Sequence, residues 1–182
     1  MTAAIETIQH VDKTLNMMLD ALQVAARGVQ HSQQSVVELP IETLLANTCF
    51  AEEPIDVLRK NIQTCRQAAE DFAILTMWIA FEQHLMDRLV AECQKMQDSI
   101  ASDFNNDVFK RVSTMVKYWR VDDALDLIKP LVGSDMVGQA KQIKRYRDWI
   151  AHRNPDKARP SKPDVDTVQL VLTQLISDLN IK

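Results

Sequence analysis

The chain is predicted to be all-α, a bundle of four to five long helices with short connecting helices, on three observations. Its 182 residues include only 3 glycines, too few for the tight hairpin turns of a sheet-rich fold, which lean on glycine at positive φ. Leu, Ala, Met, Gln, Lys and Glu are abundant, and these are good helix formers. Apolar residues also recur in steps of three and four over long stretches without Pro or Gly, the period of an amphipathic helix. A hydrophobic fraction of 46% is enough for a buried core. The length suits one domain and is tight for two, so residues 1–182 read as a single helical domain.

The first run sets Ala4, Ile8, Val11, Leu15, Met18, Leu22, Ala25 and Val29 on one seam. It predicts a helix from about Thr2 to about Gln34, ended before Pro40 and packed in a bundle rather than as a coiled-coil strand. A short turn, Pro40 to Ala46, leads to a loop through Phe50. Glu53-Pro54 starts the second helix, with Pro54 at an early position and Asp56 in the first turn. Nothing interrupts that helix before about Ile100. Ile74, Met77, Trp78, Phe81, Leu85, Met86 and Leu89 make its second half the most buried part of the chain. Asn105, Asn106 and Asp107 offer a cap for a helix through about Trp119, and a shorter helix follows from Asp122 to Ile128. Pro130 and Gly133 break the chain again. Ser134 or Asp135 caps a helix to about His152, which Asn154-Pro155 stops. Asp156 to Pro163 is a polar loop. The last helix, about Asp164 to Asn180, carries Val168, Val171, Leu172, Leu175, Ile176 and Leu179 at helical spacing.

Cys49, Cys65 and Cys93 form no CxxC pair or Cys/His cluster, so no metal site is expected and they read as small buried apolar side chains of a reduced protein. No basic segment followed by an apolar run opens the chain. The longest apolar stretch, Phe72 to Phe81, falls well short of the roughly 20 residues a membrane-spanning helix requires. A soluble cytoplasmic protein with no membrane partner is the expectation. Net charge is −4, which by itself does not mark a nucleic-acid binder. Yet the stretch from Lys110 to Pro160 has 12 Lys and Arg against 6 acids, a balance of +6 that leaves −10 for the remainder. A phosphate-binding face fits this asymmetry, and so does an ordinary solvated helix face.

One segment combines cations, a titratable side chain and aromatics at close spacing: Lys141 to Pro155, which reads KQIKRYRDWIAHRNP. On a helix, Arg145, Asp148 and His152 share a face, and Arg147 lies about 100° from Asp148. Asp148 can orient the imidazole or hold an arginine. Arg147 also shares a stripe with Ile143 and Ile150, which would anchor it beside the core instead. Tyr146 and Trp149 suit base stacking, but also a core or a dimer interface. Glu82, inside the apolar run of the second helix, suits either a reach into the cleft or a role on its own helix surface. His10, His31 and His84 show no partner pattern and read as structural or surface residues.

The segment Arg147-Asp148-x-x-x-His152 resembles the signature of the HEPN superfamily: an arginine, a polar residue, three variable positions and a histidine at the end of the penultimate long helix. The long opening helix, the Phe81-Glu82 pair and the closing helix suit the same bundle. The resemblance implies metal-independent, cofactor-free endoribonuclease chemistry in a homodimer whose two motifs meet in a basic cleft. His152 would act as acid and base, Arg147 would stabilise charge on the phosphorus, and Asp148 would support them. The products would be a 2′,3′-cyclic phosphate and a 5′-hydroxyl. Lys144, Arg145 and Arg153 would bind the RNA. The family tolerates four to six intervening residues, so Arg145 is an alternative to Arg147. Relatives of this kind are prokaryotic toxins or antiviral defence effectors with an antitoxin or regulatory protein partner. Those regulated through a tyrosine carry it two residues after the histidine. Here Asn154 stands there, which points to a plain ribonuclease. Other readings stay open: a catalytically inactive helical module that binds RNA or a protein through the same face, a purely structural helical adaptor that leaves the 145–153 cluster unexplained, and a helix-terminal His152 that, with Arg153, satisfies the helix dipole.

Overall fold

Six helices make up the regular structure among the described residues of the computed structural model, which are 2–34, 45–48, 51, 53–98, 103–116, 118–152 and 158–181. They are α1 (Ala3–Gln34), α2 (Ile55–Asp98), α3 (Asp103–Val116), α4 (Val121–Val132), α5 (Ser134–His152) and α6 (Val165–Ile181). The all-α expectation holds, and no described helix is long and apolar enough to cross a membrane.

The chain divides into two compact units, residues 1–11 with 74–182, and residues 12–73. In the first, Ile5 and Ile8 of α1 join Ile74, Met77, Trp78, Phe81 and Leu85 of α2 in one core. Ala124, Leu125 and Ile128 of α4, the buried face of α5 and all six predicted apolar positions of α6 complete it. Each large side chain withdrawn from water in this way contributes about 1.5–3 kcal/mol. Spacing explains the pattern: Ile74, Trp78, Phe81 and Leu85 recur every three or four residues, so one stripe of α2 faces the core. In the second unit Leu15, Leu58, Ala69 and Ala73 are buried. The predicted α1 seam is closed over Ile8 and Leu15, but Met18 is 50% exposed. Most of the turn and loop expected between Pro40 and Phe50 lies outside the described residues. Within it, Asn47 adopts φ 61°, a conformation asparagine tolerates better than most residues.

Element boundaries follow local chemistry. The carbonyl of Pro54 accepts from Leu58 N–H at 2.9 Å, so Pro54 precedes the first turn, where its missing N–H costs nothing. Helix α3 begins at Asp103, ahead of the Asn105–Asp107 segment expected to cap it, and that segment lies inside the helix. Pro130 does not break the chain: it sits in the last turn of α4, which ends at Gly133 with φ 92° and ψ 157°. A proline close to a helix end forfeits one hydrogen bond without disrupting turns beyond it. Ser134 is already helical, and Gly133 supplies the cap carbonyl to Val137 N–H at 3.3 Å. Asp164 does cap α6, its Oδ2 accepting from Thr167 N–H at 3.1 Å. Cys65 is exposed and Cys93 half-buried, which corrects the buried reading for Cys65; Cys49 lies outside the described residues.

Candidate functional site

The site residues sit on α5, which packs against both α4 and α6. Val137, Ala140, Ile143, Tyr146 and Ile150 turn one stripe of α5 into the core. That fixes where the remaining side chains emerge. Gly133 alone links α4 to α5, and two ion pairs read out their antiparallel register. Lys141 Nζ lies 2.7 Å from Asp126, and Lys144 Nζ lies 3.2 Å from Asp122.

Arg147 follows the core stripe and is only 22% exposed. Its Nη2 donates to Glu82 Oε2 of α2, and its Nη1 donates to Asp148 Oδ1 at 3.0 Å. The guanidinium also lies 5.8 Å from the Trp78 ring centroid, within cation–π range. Trp78, fully buried, needs an acceptor for its indole N–H, and Glu82 Oε2 provides it at 2.8 Å. Asp148 in turn accepts from Lys144 Nζ at 2.7 Å. The result is a chain of alternating charge running Glu82, Arg147, Asp148, Lys144, Asp122. Burial pulls the Lys144 ammonium pKa down, but its hydrogen bonds to Asp148 and Asp122 outweigh that and hold it above the ordinary lysine value. Lys144 therefore stays charged, and both it and Arg147 are committed to carboxylates.

Arg145 and His152 present a different picture. Both are exposed, and neither has a hydrogen-bond or ion-pair partner among the described residues. Their seven-residue separation places them on one face, two turns apart. Asp148 is the only predicted catalytic residue brought into direct contact with Arg147. Arg153, expected to bind RNA, lies outside the described residues, as does Asn154.

The aromatics of the segment are structural. Tyr146 is fully buried and stacks on half-buried Trp149, with centroids 6.1 Å apart. Arg159 Nη2 donates to Tyr146 Oη at 2.8 Å, and its guanidinium lies 4.9 Å from the Trp149 centroid. These contacts tie Arg159 to the buried face of α5. Asp122 and Arg159 are the participants that motif reading missed. Asp122 had a signal: it and Lys144 stand equally far from Gly133, 11 residues on either side, as partners in a helical hairpin should. Arg159 had none, because nothing in a polar loop fixes where its arginine folds.

No family model matches this chain, and neither does any curated protein or solved structure.

Proposed function

We propose that the chain is a metal-independent endoribonuclease acting as a homodimer in the cytoplasm, of the kind that serves as a prokaryotic toxin or antiviral effector under a protein partner's control. The observation that carries this reading is the outer face of α5, where His152 and Arg145 are exposed two turns apart, without a carboxylate partner among the described residues. An imidazole can take the proton of a ribose 2′-OH or give one to the departing 5′-oxygen. The 2′-oxygen attacks phosphorus, the P–O5′ bond breaks, and a 2′,3′-cyclic phosphate and a 5′-hydroxyl result. A free guanidinium on the same helix face can hold the extra negative charge on the phosphoryl group. Arg145 meets that requirement as it stands. Arg147 meets it only when phosphate displaces Glu82 or Asp148, so its first task is to fix α5 against α2.

The test is incubation of the purified protein with total RNA in EDTA, alongside His152→Ala, Arg145→Ala and Arg147→Ala. Cleavage by the wild type with loss of about 100-fold or more in the His152 variant is expected. Equal RNA binding by all forms without cleavage would favour the second reading, an inactive module. That reading draws its support from Arg147, whose guanidinium is already held by Glu82 and Asp148.

A further inference from the structure

We infer that the corner entering α4 is a contact for single-stranded RNA, with Tyr118 as a stacking platform and Arg120 as a phosphate partner. The inference rests on the reading of RNA as the ligand and extends it to residues outside α5.

Tyr118 is 84% exposed, an unusual position for a ring that gains free energy when covered. Its backbone is nonetheless fixed. Tyr118 N–H donates to the Met115 carbonyl at 2.9 Å, and Trp119 N–H donates to the Val116 carbonyl at 3.0 Å. Val116 is fully buried, so the turn that projects the ring is anchored. Two residues on, Arg120 is exposed with extended backbone, φ −68° and ψ 136°. Its carbonyl accepts from Asp123 N–H and Ala124 N–H, the first bonds of α4. Among the described residues Arg120 has no carboxylate partner, and the same holds for exposed Lys110 and Arg111 on α3. The cations of α5 are largely spent, whereas these are available.

Position ties the corner to the candidate site. The pairs Lys141 with Asp126 and Lys144 with Asp122 show that going up α4 means going down α5. Residues just before Asp122 therefore stand at the end of α5 that carries Asp148 and His152. An exposed aromatic ring with the exposed Arg120 at that end, unpaired among the described residues, matches what a flexible polyanion with π-faces requires: bases stack on the ring and phosphates meet the guanidinium. Exposed Asp123 in the same turn opposes a phosphate.

The experiment is fluorescence anisotropy of the full chain with a labelled 12-nucleotide single-stranded RNA, in a His152→Ala background so that the probe stays intact. Tyr118→Ala is expected to weaken binding about tenfold, while Tyr118→Phe retains it. Arg120→Ala is expected to weaken binding and to reduce the slope of log affinity against log salt by about 0.7. Asp123→Asn is expected to tighten it. Unchanged affinity in Tyr118→Ala, or displacement of the RNA by an acidic peptide at equal concentration, would overturn the inference. The two readings fail separately. A wild-type protein that cleaves RNA, with Tyr118→Ala binding like its parent, loses the corner and keeps the nuclease. One that binds RNA through Tyr118 and cleaves nothing loses the nuclease and keeps the corner.

Discussion

At the scale of single residues, Arg147 and His152 are only five positions apart, yet they stand in opposite circumstances. Arg147 joins α5 to α2 through Glu82 and covers the Trp78 ring, so Arg147→Ala leaves a half-buried carboxylate with one partner fewer. Breaking a fully buried pair costs 3–5 kcal/mol, but this one is partly solvated, and a loss of about 1–2 kcal/mol is expected in urea unfolding. His152→Ala, at an exposed position with no described partner, should stay within about 0.5 kcal/mol of the wild type. Equal unfolding midpoints for the two variants would show that the Glu82–Arg147 contact holds nothing together. His84 gives a pH signature. Burial lowers its pKa, Asp87 opposes that, Arg88 adds to it, and a hydrogen bond with Asn180 opposes it. Because the folded state disfavours the imidazolium, the stability is intact above the unfolded value of about 6.5 and declines as pH falls through the folded one. The urea midpoint of the wild type should therefore drop more between pH 7.5 and 5.5 than that of His84→Gln. Arg147's anchoring was legible in its stripe with Ile143 and Ile150. Its partner was legible only as an alternative: Glu82 suited either a reach toward α5 or a role on its own helix, and helical periodicity could not choose for a residue 65 positions away.

At the scale of elements, the α4–α5 hairpin turns on Gly133. Its φ of 92° with ψ of 157° is a backbone conformation open essentially to glycine alone. A Cβ added there would meet nothing within 4 Å, so any cost of Gly133→Ala is conformational and not steric. A destabilisation of about 1–3 kcal/mol is expected, read by denaturant midpoint. An unchanged midpoint would mean the hairpin tolerates another turn. Helix number and the core-facing positions of α6 were legible because six apolar residues at one spacing leave a single face to bury. The end of α4 was harder to read. Pro130 has a strong tendency to break helices, but in a final turn most of that penalty vanishes, and the chain runs on to Val132. The expected start of α3 failed for a related reason: residues that favour caps are also tolerated inside a helix at a small cost in propensity.

At the scale of the whole molecule, charge asymmetry fitted a phosphate-binding face and an ordinary solvated face equally, and on α5 the ion pairs bear on that choice. The +6 balance between Lys110 and Pro160 is real, but on α5 it is largely cancelled by acids of α2, α4 and α5 itself. Composition along the chain counts charges; only the fold says which of them are neutralised. Among the described residues, the cations left without a carboxylate include Arg145 on α5, Arg120 at the α4 corner, and Lys110 and Arg111 on α3. A composite site also requires two copies. Sedimentation should therefore show a dimer at the concentrations where RNA is cut, and cleavage per chain should fall on dilution below the dimer's dissociation constant. A strict monomer with undiminished specific activity would exclude the composite site. The central claim, that His152 performs acid–base chemistry on RNA, is tested most directly by cleavage of total RNA in EDTA by the wild type and His152→Ala at equal fold stability. 2′,3′-Cyclic phosphate ends are expected from the wild type and none from the variant. Identical fragment patterns from both, or intact RNA with both, would contradict it.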